Sequence, residues 1–157
     1  MKRYMRVILP VLTFLVIAFI FSNSLSSGAQ ASAKRGFVVD LVQEIVSAVG
    51  GDEPDFSVGG LAVVSKCFHV TEFALFSFCL TCSVILLGDY RNGRFEKIIL
   101  CGMTLALTDE HLQKLSEGRG PALTDVLVDL AGVMIGYAVA VLLFSLLAKN
   151  EKKKAET

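Results

Sequence analysis

The sequence predicts an all-α integral membrane protein, a bundle of four transmembrane helices with both termini cytoplasmic and a short amphipathic helix in the first extracellular loop. Three observations carry this expectation. The 157 residues are 54% hydrophobic and 19% charged, whereas a soluble domain has about 25% charged residues. Four apolar stretches approach the roughly 20 residues that a helix needs to cross a bilayer. The Lys and Arg residues cluster in alternate connecting segments. A net charge of zero argues against a nucleic-acid binder, and four Cys are too sparse for a disulfide scaffold. No repeat or linker divides the chain, so one membrane domain over 1–157 is expected.

The first span, 4–21, is the apolar run Val7 to Phe21 led in by Tyr4 and Met5. Lys2-Arg3 ahead of it and Ala29-Gln30-Ala31 behind it also fit a cleavable signal peptide. The long apolar core and the gap from Phe21 to Ala31 favour a retained helix. The loop from Ser22 to Ser65 opens with a Ser-rich stretch. Val38, Leu41, Val42, Ile45, Val46 and Val49 then recur at helical spacing, opposite Asp40, Gln43 and Glu44. Gly50-Gly51 and the acidic turn Asp52 to Asp55 end that helix. It is expected to lie on the outer leaflet or to cap the bundle.

The second span is 67–87. The third, 95–114, has an apolar run from Ile98 to Thr108 that meets Asp109, Glu110 and His111. The fourth, 126–148, follows Asp125 and embeds Asp129. Four spans place three basic segments on one side: Lys2, Arg3 and Arg6; Arg91, Arg94 and Lys97; Lys149, Lys152, Lys153 and Lys154. The positive-inside rule makes that side the cytoplasm of a multi-pass cell-membrane protein. With Asp89, Glu96, Glu151 and Glu156, these segments hold ten basic and four acidic residues, a net of +6. The remainder, with five basic and eleven acidic, carries −6.

That negative half gathers at the outer helix ends. Lys66, His69 and Glu72 lie on one flank of the second span at spacings of three. Asp109, Glu110 and Gln113 end the third, Arg119 sits in the loop, and Asp125 and Asp129 begin the fourth. An intramembrane charge costs about 2.5–3.5 kcal/mol at a helix centre, so a chain this small needs partners or a use for so many. Pairing of Lys66 and Arg119 with the acids to hold the bundle is the bland account of any one residue. A functional polar cluster is the expectation for the group. Gly132 and Gly136 share a stripe with Asp125 and Asp129 and read as helix packing. Cys79-Leu-Thr-Cys82 falls mid-span and reads as packing rather than redox chemistry.

At these residues the chain resembles the VanZ-like family. Phe21-Ser22 with the Ser-rich tail, then Lys66-x-x-His69-x-x-Glu72-Phe73, carry the likeness first. Asp109-Glu110-x-x-Gln113, Gly118-Arg119 and Asp125-x-x-x-Asp129-x-x-Gly132-x-x-x-Gly136 complete it. Many relatives have His directly before the Gln, where this chain has Leu112, with His111 one place earlier. A Tyr often follows the Glu, where Phe73 stands here. The resemblance implies a link to the cell envelope and to tolerance of teicoplanin, a glycopeptide antibiotic with a lipid tail.

Three functions follow as expectations. The first is a binding or shielding protein for an amphiphile at the outer leaflet, either a lipid-linked cell-wall precursor or a lipoglycopeptide, with Lys66 and Arg119 holding its phosphate or carboxylate. The second is an enzyme on a lipid-linked substrate, using the crowded carboxylates as acid or base. The third is proton-coupled transport, for which four helices are a small vessel unless a homo-oligomer forms through Gly132 and Gly136. No cofactor is expected from a motif. A divalent metal on His69, Glu72, Asp109 and Asp125 is the alternative that the donor types allow. The partners expected are the lipid bilayer and such an amphiphile, with no nucleic acid.

Overall fold

The computed structural model describes residues 2–48, 58–88, 94–118, 120 and 122–155. Among them the chain forms five helices: α1 (Lys2–Ser24), α2 (Gly28–Ala48), α3 (Val58–Leu87), α4 (Arg94–Gln113) and α5 (Leu123–Ala155). The fold is all-α, with α3 at its centre. α5 packs along α3 most extensively, α1 flanks α3, and α4 leans on α5.

Three of these helices, not four, are long and apolar enough to cross a membrane: Tyr4–Ser24, Ala62–Leu87 and Leu123–Asn150. The expected span at 95–114 is the one that fails. α4 is a full helix, but Arg94, Glu96 and Lys97 crowd its start and Asp109 and Glu110 its end, so the apolar run between is too short. An odd number of spans removes the parity on which cytoplasmic termini and an extracellular first loop rested. α4 earns its place by packing. Ile98, Gly102, Leu105, Ala106, Asp109, Glu110 and Gln113 are its buried residues, recurring every three to four positions as one helical face.

The main core joins Ile20, Phe73, Phe76, Ile98, Leu105, Ala106, Val126 and Val133. A smaller one, of Leu9, Cys82 and Ala140, lies further along the bundle. Cys79 and Cys82 are buried and unbridged. Outward faces stay apolar, with Phe14, Leu15, Met134, Val139 and Leu142 exposed. Such surface is consistent with lipid contact.

A helix does cover the segment of the expected amphipathic one, but it begins ten residues before the apolar stripe, and its buried residue, Val39, does not belong to that stripe. Ser27 Oγ accepts the Gln30 N–H at 3.3 Å and Gln30 Oε1 accepts the Ser27 N–H at 3.2 Å. This reciprocal capping box starts the helix inside the Ser-rich stretch. Of the stripe, Leu41 and Ile45 are exposed, together with Phe37. Val49 of the stripe, Gly50-Gly51 and the acidic turn after them lie outside the described residues.

Candidate functional site

α1 and α4 end, and α5 begins, beside the middle of α3, about three to four turns from its start, and this level carries the polar cluster. Two contacts hold its rim. The Gly28 N–H donates to the Glu117 carbonyl at 2.9 Å, and Ser116 Oγ donates to the Ser24 carbonyl at 2.8 Å. Gly118 has φ +73°, a left-handed conformation suited to glycine. A β-carbon on Gly28 would lie 2.6 Å from the Gly118 carbonyl oxygen, so the α1–α2 turn meets the α4–α5 loop backbone to backbone.

His69 on α3 and Asp129 on α5 form the centre, with Nδ1 and Oδ1 2.9 Å apart. Asp129 is fully buried and His69 nearly so. Asp109 comes from α4 and is 2% exposed. Its Oδ2 accepts Gln113 Nε2 at 2.8 Å, and its Oδ1 accepts the Ser24 hydroxyl. One donor atom from each of His69, Asp109 and Asp129 lies within 4.8 Å of the others. A buried imidazole with two carboxylates is a set capable of coordinating a divalent metal.

Glu72, one turn along from His69, accepts Asn23 Nδ2 at 2.5 Å. Lys34 Nζ in turn donates to Asn23 Oδ1 at 2.8 Å and to Ser26 Oγ at 3.3 Å. Lys34 of α2 is therefore linked to Glu72 through Asn23. A cavity of about 550 Å³ opens above them. His69, Glu72, Asp109 and Gln113 contribute its polar wall, Phe19, Phe37, Val38 and Phe68 its apolar wall, and Lys34 and Arg35 its cationic side.

The remaining expected site residues divide. Lys66 is exposed and shares a smaller cavity of about 330 Å³ with Arg35, Ser32 and Asp125. Asp125 thus stands beside the metal-capable group, which includes Asp129 in place of the expected Glu72 and Asp125. Glu110 Oε2 accepts the Ala122 N–H at 2.8 Å, satisfying a backbone donor at the start of α5. Arg119 lies outside the described residues. His111 is exposed. Gly132 and Gly136 face the α3 backbone, so that stripe is covered within the chain and is not open to a second copy.

Sequence reasoning did not single out Asn23, Ser24, Lys34 or Arg35 as site residues. Asn23-Ser24 at the end of an apolar run was a usable signal. The Ser27-x-x-Gln30 box was the other, because it makes 28–37 helical and swings Lys34 over α3.

Three apolar helices of membrane length, packed with buried polar residues between them, define a multi-pass membrane protein. The VanZ/LLP1 family model matches residues 9–145, and the chain belongs to that family. No curated protein and no solved structure matches it. It is a cell-membrane protein, and its family is consistent with a role at the envelope.

Proposed function

We propose that this protein binds an amphiphile of the cell envelope, taking the head group against the polar wall of the large cavity and the lipid chain along the apolar one. One observation carries the reading: a single cavity joins His69, Glu72 and Asp109 to Phe19, Phe37 and Phe68. Binding sites of this size are mostly apolar with a few convergent polar groups, and lipid-anchored ligands need both. Lys34 and Arg35 give an anionic head group its counter-charge. The exposed Phe37, Leu41 and Ile45 let α2 rest in the bilayer surface, which sets the cavity mouth at head-group level. A lipid-linked cell-wall precursor and a teicoplanin-type lipoglycopeptide are the two ligands of this shape, and sequestering either accounts for a family link to glycopeptide tolerance.

The test is binding of a fluorescent lipoglycopeptide, and of a polyprenyl-phosphate-linked sugar, to the full chain in nanodiscs. Saturable binding of one of them, weakened by Lys34→Gln, Arg35→Gln and Phe68→Ala, supports the reading. Non-saturable partitioning equal to that of empty nanodiscs sinks it.

A second reading, acid–base chemistry on a lipid-linked substrate, is favoured by the His69–Asp129 pair. A buried carboxylate fixing an imidazole is the arrangement that orients a general base. It predicts turnover of the bound lipid, lost in His69→Gln while binding persists.

A further inference from the structure

We propose that His69, Asp109 and Asp129 form a divalent-metal site whose open coordination positions face the large cavity. Ligands sharing one ion at about 2.0–2.2 Å stand about 3–4 Å apart. The three donor atoms lie within 4.8 Å of one another, and an ion entering the group would replace the 2.9 Å hydrogen bond between His69 Nδ1 and Asp129 Oδ1.

An independent observation points the same way. Asp129 Oδ2 is buried and has no hydrogen-bond partner, on a side chain with no exposed surface. An orphaned polar atom in an apolar interior carries its full desolvation cost. Charge gives the second argument. Asp109 and Asp129 place two carboxylates together, and one imidazole balances at most one of them. A divalent ion with neutral His69 brings the group to zero.

The donors select the ion class. One nitrogen and two carboxylate oxygens suit Zn²⁺ or Mn²⁺, rather than the all-oxygen shell of Ca²⁺ or the thiolates of Cu⁺. Gln113 and Ser24 hold the Asp109 carboxylate in place, as outer-shell groups do around metals. Three protein ligands leave a position free. His69 and Asp109 line the cavity, so the free position opens there, where it takes a phosphate or carboxylate oxygen. That last step rests on the amphiphile reading; the metal site itself does not.

The experiment uses the full chain in detergent, stripped with chelator, and titrated with Zn²⁺ and with Mn²⁺ in the absence of any amphiphile. One ion per chain is expected, with Ser24→Ala weakening affinity about tenfold, the scale of an outer-shell loss. Asp129→Asn abolishes binding, and Asp40→Asn on the outer face of α2 leaves it unchanged. Pulsed EPR of the Mn²⁺-loaded wild-type protein is expected to show an imidazole nitrogen coupled to the ion. The chain has two His, so persistence of that coupling in His111→Gln assigns it to His69 without disturbing the site. Absence of a stoichiometric ion, loss of the coupling in His111→Gln, or unchanged affinity in folded Asp129→Asn each overturns the site. Failure of amphiphile binding alone leaves the titration result standing, and the reverse also holds.

Discussion

Gly132 of α5 lies directly on the backbone of α3 at Val70: a β-carbon there would stand 2.6 Å from the Val70 carbonyl oxygen and 3.1 Å from Phe73 Cβ. Gly136, one turn further, meets the Ala74 backbone more closely still. This approach lets His69 and Asp129 touch, because His69 adjoins Val70 on α3 and Asp129 lies about one turn before Gly132 on α5.

Gly132→Ala and Gly136→Ala should therefore act on the site from a distance. Forcing a methyl against fixed backbone costs about 1–3 kcal/mol, expected as a lower thermal midpoint in detergent. Gly36 is the control. It sits inside α2 with nothing within 4 Å of an added β-carbon. Gly36→Ala should raise stability by about 0.5–1 kcal/mol, the ordinary helix preference.

Long apolar runs gave α1, α3 and α5, because hydropathy over one bilayer thickness is a property of the run alone. α4 was legible as a helix and misread as a span. Its Ile98, Leu105 and Ala106 are apolar because they face α5 and its neighbours, and a window average does not separate protein-facing from lipid-facing positions. His69, Glu72 and Asp109 sharing one cavity was the expected juxtaposition. Lys34 was not, since its place depends on where α2 starts, and one hydroxyl–amide exchange at Ser27 and Gln30 decides that.

That exchange makes its own prediction. Ser27→Ala removes the cap and costs about 0.5–2 kcal/mol, concentrated in the first turns of α2. Hydrogen exchange should rise at 28–34 with α3 and α5 unchanged. Loss of protection spread over the whole bundle would show that α2 does not open as a separate unit.

The buried pair offers a different contrast. Removing one partner leaves the other uncompensated, at about 3–5 kcal/mol, whereas replacing both with apolar residues is often neutral. Asp129→Leu and His69→Leu alone should each destabilise strongly, and the double variant should recover most of the loss. Additive losses in a thermal or denaturant assay would mean that the two side chains are held independently of each other.

The Lys34–Asn23–Glu72 chain makes a prediction about direction. Asn23 gives its amide hydrogen to Glu72 and offers its carbonyl to Lys34. Asn23→Asp keeps the acceptor for Lys34 but sets a second carboxylate against Glu72, and like charges at that distance repel. Adding Glu72→Gln restores a hydrogen bond with donor and acceptor exchanged, because the introduced amide now donates to the introduced carboxylate. A double-mutant cycle should show the pair more stable than the sum of its singles, by a coupling of about 0.5–3 kcal/mol. Zero coupling would place Asn23 and Glu72 out of contact, and Lys34 would then have no route to the acids below it.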